Sequence, residues 1–216
     1  MQWKKVLAVQ RAFHENPSAE WVVWVDLDVI IMNAALPLST YLLADSALER
    51  KLLRSFPNGG EFTNLYTHSA PSNSSAADIN LIVANDWNGL NAGVFALRRS
   101  KWTDMVLDLW FDEVFMEKDW SGKEQDALYW LMDKHDHVWN HVGFVEQHVL
   151  NAYYSAPGAV TDLEHDKWQG HWQDGDLLVH MAGCWVNNEC EAHWMSMWER
   201  RTKVPEELLK HERQFQ

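Results

Sequence analysis

Asp26 and Asp28 close a short apolar run, Trp21-Val22-Val23-Trp24-Val25. Residues two apart on an extended strand point to one face, so the spacing predicts two carboxylates emerging together where a buried strand meets solvent. Val29-Ile30-Ile31-Met32 resumes the apolar character beyond them. Unpaired carboxylates in such surroundings cost on the order of several kcal/mol, and a hard divalent cation is one of the few partners that compensates two at once. A turn or helix cap is the plainer explanation of Asp-x-Asp, and the apolar runs on both sides weigh against it.

A third candidate ligand is His180, which follows Leu177-Leu178-Val179 and precedes Met181-Ala182-Gly183-Cys184. Ligands bind at strand ends in α/β sheets, so a histidine there is placed to meet the aspartates, and Gly183 permits close backbone approach to a ligand. Gly89-Leu90-Asn91-Ala92-Gly93 suits a tight approach to a substrate, with Asn91 offering a donor and an acceptor; a plain turn explains it equally. Glu124 and Gln125 stand at a helix start, where Ser121-Gly122-Lys123-Glu124 fits a capping box. Helix amino termini also face ligands. His135, His137 and His141, spaced by Asp136 and Asn140 and without a fitting cysteine, read as a solvated segment rather than a zinc site.

The elements that must position these groups follow from periodicity. Residues 3 to 15 read as a helix carrying Val6, Leu7, Val9 and Phe13, stopped by Asn16-Pro17-Ser18, and the strand ending at Asp26 follows. Residues 40 to 55 look helical, and the Gly-, Ser- and Asn-rich tract 57–78 is expected to be a flexible surface loop. Ile79 to Ala84 reads as a strand, Asn85 to Gly93 as a polar loop, and Val94 to Leu97 as a further strand. Ser100 caps a helix with Trp102, Met105, Val106, Leu109 and Trp110 at helical spacing, and a second helix runs from the capping box to about Lys134. Strands near 142–146 and 177–181 and a helical carboxyl end broken at Pro205 complete an α/β domain without internal repeats.

At 216 residues and 47% hydrophobic content, the chain has material for one well-buried domain, residues 1–216. No apolar stretch reaches the roughly 18 residues of a membrane span. A net charge of -13 argues against nucleic acid as a partner, and an anionic ligand would need a metal to help it bind. Cys184 and Cys190 are too few for a disulfide framework but able to form one local bridge in an oxidising compartment. Asn73-Ser74-Ser75 is a glycosylation acceptor triplet. The fourteen tryptophans mostly fall at core spacing, although aromatic rings also stack on sugars.

Taken together, four ordered blocks resemble the galactosyl, mannosyl and xylosyl transferases of glycosyltransferase family 34. The blocks are Trp21 through Asn33, Gly89 through Phe95, Glu124 through Leu128, and Trp168 through Cys184. The resemblance implies a GT-A (Rossmann-like) fold and a retaining transfer of a hexose from a nucleotide sugar, UDP-galactose or GDP-mannose, to a glycan on protein or lipid. It implies Mn2+ held by Asp26, Asp28 and His180, and it places Gln125 beside the reacting sugar carbon with Glu124 nearer the acceptor. Asn91 and Gly93 would line the donor pocket, and the departing phosphate would take the acceptor proton, with a covalent route through Glu124 ranking second.

Family members have a nucleotide-binding segment ahead of the first helix, and here Met1 falls almost on that helix, so the fold is expected to be truncated at its amino terminus. Plant members carry a lysine after the Gly-Cys pair where this chain has Trp185, which favours the fungal-type branch. The resemblance implies residence in the Golgi lumen on an amino-terminal anchor, which is expected to be absent from this chain. Competing readings are a non-catalytic remnant or carbohydrate-binding module, and a glycoside hydrolase, for which the two aspartates sit too close together.

Overall fold

The structure, a computed structural model, describes residues 2–56, 74–86, 88–154 and 170–202. The Pro205 helix break, Asn73 and Trp168 lie outside the described residues, as does 57–73 of the expected loop. Helix α1 (Lys4–Glu15) leads into strands β1 (Trp21–Val25) and β2 (Val29–Ile31). A π-helical turn (Ser39–Leu43), helix α2 (Asp45–Glu49) and a 3-10 turn (Ala76–Asp78) precede β3 (Leu81–Asp86) and β4 (Gly89–Arg98). Helices α3 (Lys101–Trp110), α4 (Glu113–Met116), α5 (Glu124–Lys134) and α6 (Asp136–Trp139) lead to β5 (Val142–Val145) and α7 (Gln147–Leu150). Strand β6 (Leu178–His180) and helix α8 (Cys190–Trp198) follow.

A four-stranded sheet runs β1-β4-β3-β5, with β3 and β5 parallel and the other pairs antiparallel, and a separate two-stranded sheet pairs β2 with β6. Alternation sorts the larger sheet's side chains. Leu81, Val83, Phe95 and Leu97 face α1, α3 and α5, while Ile82, Ala84, Val94 and Ala96 face α2 and α7. Because both faces are covered, the strands read as continuous apolar runs. Trp110, Phe95 and Phe144 fill the first layer with no more than 1% exposure, and truncating such a ring to alanine costs about 3–5 kcal/mol. The smaller sheet has its own core of Ile30, Met32, Val179, Met181 and Met197 beneath α8.

Several sequence expectations change. The polar loop expected at 85–93 is the tip and return of a β3-β4 hairpin, and Gly89 through Gly93 are ladder residues of β4. Asp86 makes this possible: its Oδ1 accepts the Asn88 N–H at 2.6 Å and closes the turn, so the glycines serve the strand rather than a loop. Residues 40–55 form two short helical segments, because Ala44 between them is extended (φ -68°, ψ 139°). In α3, Ser100 does cap, accepting the Thr103 N–H, but the helix buries Leu107 and leaves Leu109 40% exposed. Within the expected loop 57–78, residues 76–78 form the 3-10 turn, held by Ala76 N–H on Glu49 Oε2 at 2.9 Å.

Candidate functional site

Asp26 and Asp28 do not share a strand. They stand in the connection where the chain leaves β1 in the larger sheet and enters β2 in the smaller one. Asp26 N–H still donates to Gly93 O at 2.8 Å, extending the β1-β4 ladder, whereas Asp28 O accepts from Met181 N at 2.9 Å, extending β2-β6. Each carboxylate is thus anchored by a different sheet, and Leu27 between them is 98% exposed. His180, at the end of β6, brings the third group: ligand atoms of Asp26, Asp28 and His180 all lie within 4.8 Å of one another, with His180 Nε2 3.3 Å from Asp28 Oδ1. Burial works to raise the Asp28 pKa, but the hydrogen bond and charge of His180 outweigh it and hold the carboxyl below the ordinary aspartate value.

Two carboxylates and one imidazole at this separation fit a borderline-hard divalent ion such as Mn2+ in donor type. Asp28 and His180 have their ligand atoms turned toward each other, so the three groups could share one cation.

Behind the aspartates stands Lys5, a residue that periodicity could have singled out. Positions 5, 9 and 13 form the buried stripe of α1, so a lysine occupies a core position. Its side chain is 6% exposed, and Nζ lies 2.9 Å from Glu124 Oε1, 3.3 Å from Asp26 Oδ1 and 2.9 Å from Ala92 O, over the Trp24 ring. The Trp24 indole N–H also donates to Asp26 Oδ1 at 2.6 Å. One buried ammonium therefore ties the first aspartate to the start of α5.

That start is not a capping box. Ser121 does not cap α5; Asp126 accepts the Gly122 N–H at 2.7 Å, and Glu124 turns inward to Lys5. Lys123 takes φ 55°, ψ -125°, a strained conformation for a side-chain-bearing residue that costs on the order of 1–3 kcal/mol. The bend presents Glu124 to the interior, where its second oxygen, Oε2, is buried without a hydrogen-bond partner among the described residues. Gln125 Oε1 accepts the Ala92 N–H at 2.8 Å, which aims the amide across β4 and leaves the carbonyl a second lone pair. Gln125 also lines a cavity of about 310 Å³ with Trp120, Tyr129, Trp130, Asp126 and Asn88.

Asn91 and Gly93 lie on β4 between these two groups. Asn91 donates to Asp86 Oδ2 (2.8 Å) and Tyr153 OH (3.0 Å) and accepts from Gly93 N (2.8 Å). Tyr153 also donates to Asp86, and burial together with the Asp86 charge pushes its phenol well above the ordinary tyrosine range. A Cβ on Gly93 would lie 2.4 Å from His180 Cε1, so only glycine lets the histidine ring in. Gly183 takes φ +77° beyond His180, with open space on its side-chain face. Asn151 and Tyr153 carry no local sequence signal, since His180, Asp86 and Asn91, which they contact, lie far along the chain; Asp86 has a local partner in Asn88, but its contact with Tyr153 is equally distant. Cys184 and Cys190 are bridged, closing the loop that carries Trp185.

A mixed sheet covered by helices on both faces, with Asp-x-Asp at a strand end opposite a histidine, defines an α/β fold of the GT-A glycosyltransferase type. The crystal structure of a glycosyltransferase involved in the glycosylation of the major capsid of PBCV-1 superposes with a TM-score of 0.52 at 16% identity, covering 89% of this chain and 75% of that one. Residues 1–191 match the model of the galactosyl transferase GMA12/MNN10 family, and the chain belongs to that family. It is 34% identical over 195 residues to "Probable alpha-1,2-galactosyltransferase gmh1" of Schizosaccharomyces pombe, covering 89% of this chain and 56% of that protein. It is 31% identical to an alpha-1,2-galactosyltransferase of the same yeast, covering 88% of this chain and 48% of that protein. To "Probable alpha-1,6-mannosyltransferase MNN10" of Saccharomyces cerevisiae it is 30% identical, over 88% and 47% of the respective chains. The chain spans about half the length of these relatives.

Proposed function

We propose that this chain carries the catalytic centre of a metal-dependent, retaining glycosyltransferase that moves a hexose from a nucleotide sugar to a glycan. The observation that carries the reading is the convergence of Asp26, Asp28 and His180 within 4.8 Å, joined through Lys5 to Glu124 and through β4 to Gln125. Asp26, Asp28 and His180 hold the cation, Mn2+ by their donor set. When bound, the ion supplies charge neutralisation on the donor diphosphate.

The chain's own groups do the rest. Gln125 directs its second carbonyl lone pair toward the sugar carbon as positive charge develops there, and Glu124 Oε2, buried and without a partner among the described residues, accepts a hydrogen bond from a sugar hydroxyl. Asn91, Gly93 and Gly183 shape the donor side. The C1–O bond to phosphate breaks, the bond from the acceptor oxygen to C1 forms on the same face, and the acceptor proton passes to the leaving phosphate oxygen. No separate protein base is needed, and the buried Lys5–Glu124 pair disfavours Glu124 as a free nucleophile. The acceptor enters by the cavity beside Gln125, where Trp120 and Trp130 offer apolar faces and Asp126 and Asn88 offer hydrogen bonds.

The names of the yeast relatives favour galactose, with mannose as the second donor. UDP-galactose and GDP-mannose are accordingly the donors to test. A disulfide that begins four residues past His180 suits an oxidising secretory lumen, and the Golgi lumen is the compartment proposed for the chain. The reading is tested by calorimetric titration of UDP and GDP with and without Mn2+. Metal-dependent binding of one nucleotide, lost in Asp28→Asn, is expected; binding indifferent to metal and to that change would favour a carbohydrate-binding remnant.

A further inference from the structure

We propose that Asn151 is a positioning residue for the cation site, selecting the tautomer of His180 that ligates. This rests on the metal reading above. Asn151 is fully buried at the end of α7, where its N–H closes the last turn on Gln147 O at 2.7 Å. Its side-chain Oδ1 lies 2.5 Å from His180 Nδ1. An amide carbonyl only accepts, so Nδ1 carries a proton and donates it; when the ring is neutral, the proton that Nε2 shares with Asp28 is the one given up, and Nε2 presents its lone pair to a cation. Nε2 is the atom that faces Asp28 at 3.3 Å.

The ring has no freedom to reverse these roles by turning over. Gly93 lies so close that an added Cβ would stand 2.4 Å from Cε1, and the Tyr153 ring meets the imidazole edge-on at 5.9 Å between centroids. The backbone is held as well, by His180 N–H on Ala152 O at 2.7 Å and by Met181 N–H on Asp28 O at 2.9 Å. With ring and backbone held, the neutral imidazole has two places for its proton, Nδ1 against Asn151 and Nε2 against Asp28, and the Asn151 carbonyl keeps it on Nδ1. Removing the acceptor behind a ligating histidine typically changes metal affinity about 10–100-fold.

The test uses Asn151→Leu, which keeps the bulk and deletes the acceptor, and Asn151→Asp, which keeps an acceptor oxygen in place. The His180 tautomer is read without metal by long-range proton–nitrogen NMR on uniformly labelled protein, the signal being assigned by its loss in His180→Gln. Mn2+ affinity is read from the free-ion electron paramagnetic resonance signal. The expected result is an Nδ1–H tautomer and tight Mn2+ binding in the wild type, both retained in Asn151→Asp. In Asn151→Leu the tautomer preference is lost and Mn2+ binding weakens at least about tenfold. An Nε2–H tautomer in the wild type overturns the proposal, as does a folded Asn151→Leu with unchanged Mn2+ affinity. Where the leucine variant does not fold, the wild-type tautomer and the aspartate variant decide, and loss of Mn2+ binding in Asn151→Asp counts against it. A wild type that binds no Mn2+ sinks the metal reading instead, and the metal-free tautomer still decides whether Asn151 sets the proton on His180.

Discussion

Lys5 Nζ lies 2.9 Å from Glu124 Oε1, and the two side chains are 6% and 5% exposed. This buried pair ties the first helix of the chain to the start of α5, and because Lys5 also reaches Asp26 it holds the proposed metal and sugar groups in one network. Removing one partner of such a pair leaves the other charge buried alone, which costs about 3–5 kcal/mol. Lys5→Met is therefore expected to lower unfolding free energy by about that much in urea titrations. Adding Glu124→Gln to Lys5→Met should cost little more, and strictly additive losses would show that the pair is not coupled.

Gly93→Ala is expected to act on the metal site more than on the fold. The new methyl group must displace the His180 ring or β4 itself, since the clash is at 2.4 Å. Mn2+ affinity should fall by roughly tenfold or more while the far-UV circular dichroism spectrum is kept. Wild-type affinity in this variant would mean that His180 does not ligate from this position.

Trp130→Ala opens one wall of the cavity beside Gln125. Acceptor KM should rise roughly tenfold, in line with about 1–1.5 kcal/mol for a lost aromatic contact, with nucleotide affinity unchanged. An unchanged acceptor KM would place the acceptor elsewhere.

His148 sets a pH dependence. It sits between Asp176 (3.1 Å) and Glu146 (2.9 Å), and the hydrogen bond to Asp176 first, with the Glu146 contact adding to it against burial, lifts its pKa above the ordinary 6.5. A histidine raised in the folded state binds more protons there than when unfolded. Its stabilisation is therefore complete below the unfolded value and fades as pH rises through the folded one. His148→Gln should flatten the thermal-stability profile across that window, and a profile identical to wild type would remove His148 as its source.

The bridge Cys184–Cys190 closes a loop of sequence separation 6. Loop-closure entropy for so short a ring corresponds to about 2 kcal/mol. Replacing both cysteines by serine should lower the melting temperature by about 4–8 °C, and adding a reductant to the wild type should do the same. No shift under reductant would mean the bridge is not formed in solution.

The elements with strong local signals were readable from residue order. The 12-residue α1, strand β1 and the Ser100 cap of α3 all rest on periodicity or on a side chain capping its own turn. Asp26, Asp28 and His180 were legible as candidates because charged groups interrupt apolar runs. What local pattern could not convey was the use of each group. Glu124 fits a capping box by spacing, yet a lysine from α1 draws it inward, and Gly89 to Gly93 looks like a loop until Asp86 closes the turn that pairs it with β3.

By itself, the sequence determined an α/β chain with an acidic pair at a strand end, because burying apolar surface dictates where strands and helices run. Only the tertiary structure decided that the two aspartates hang from different sheets, that Lys5 bridges to Glu124 and that Asn151 grips His180. Those contacts join residues separated by 29 to 119 positions, a reach that residue-to-residue pattern does not encode and packing does.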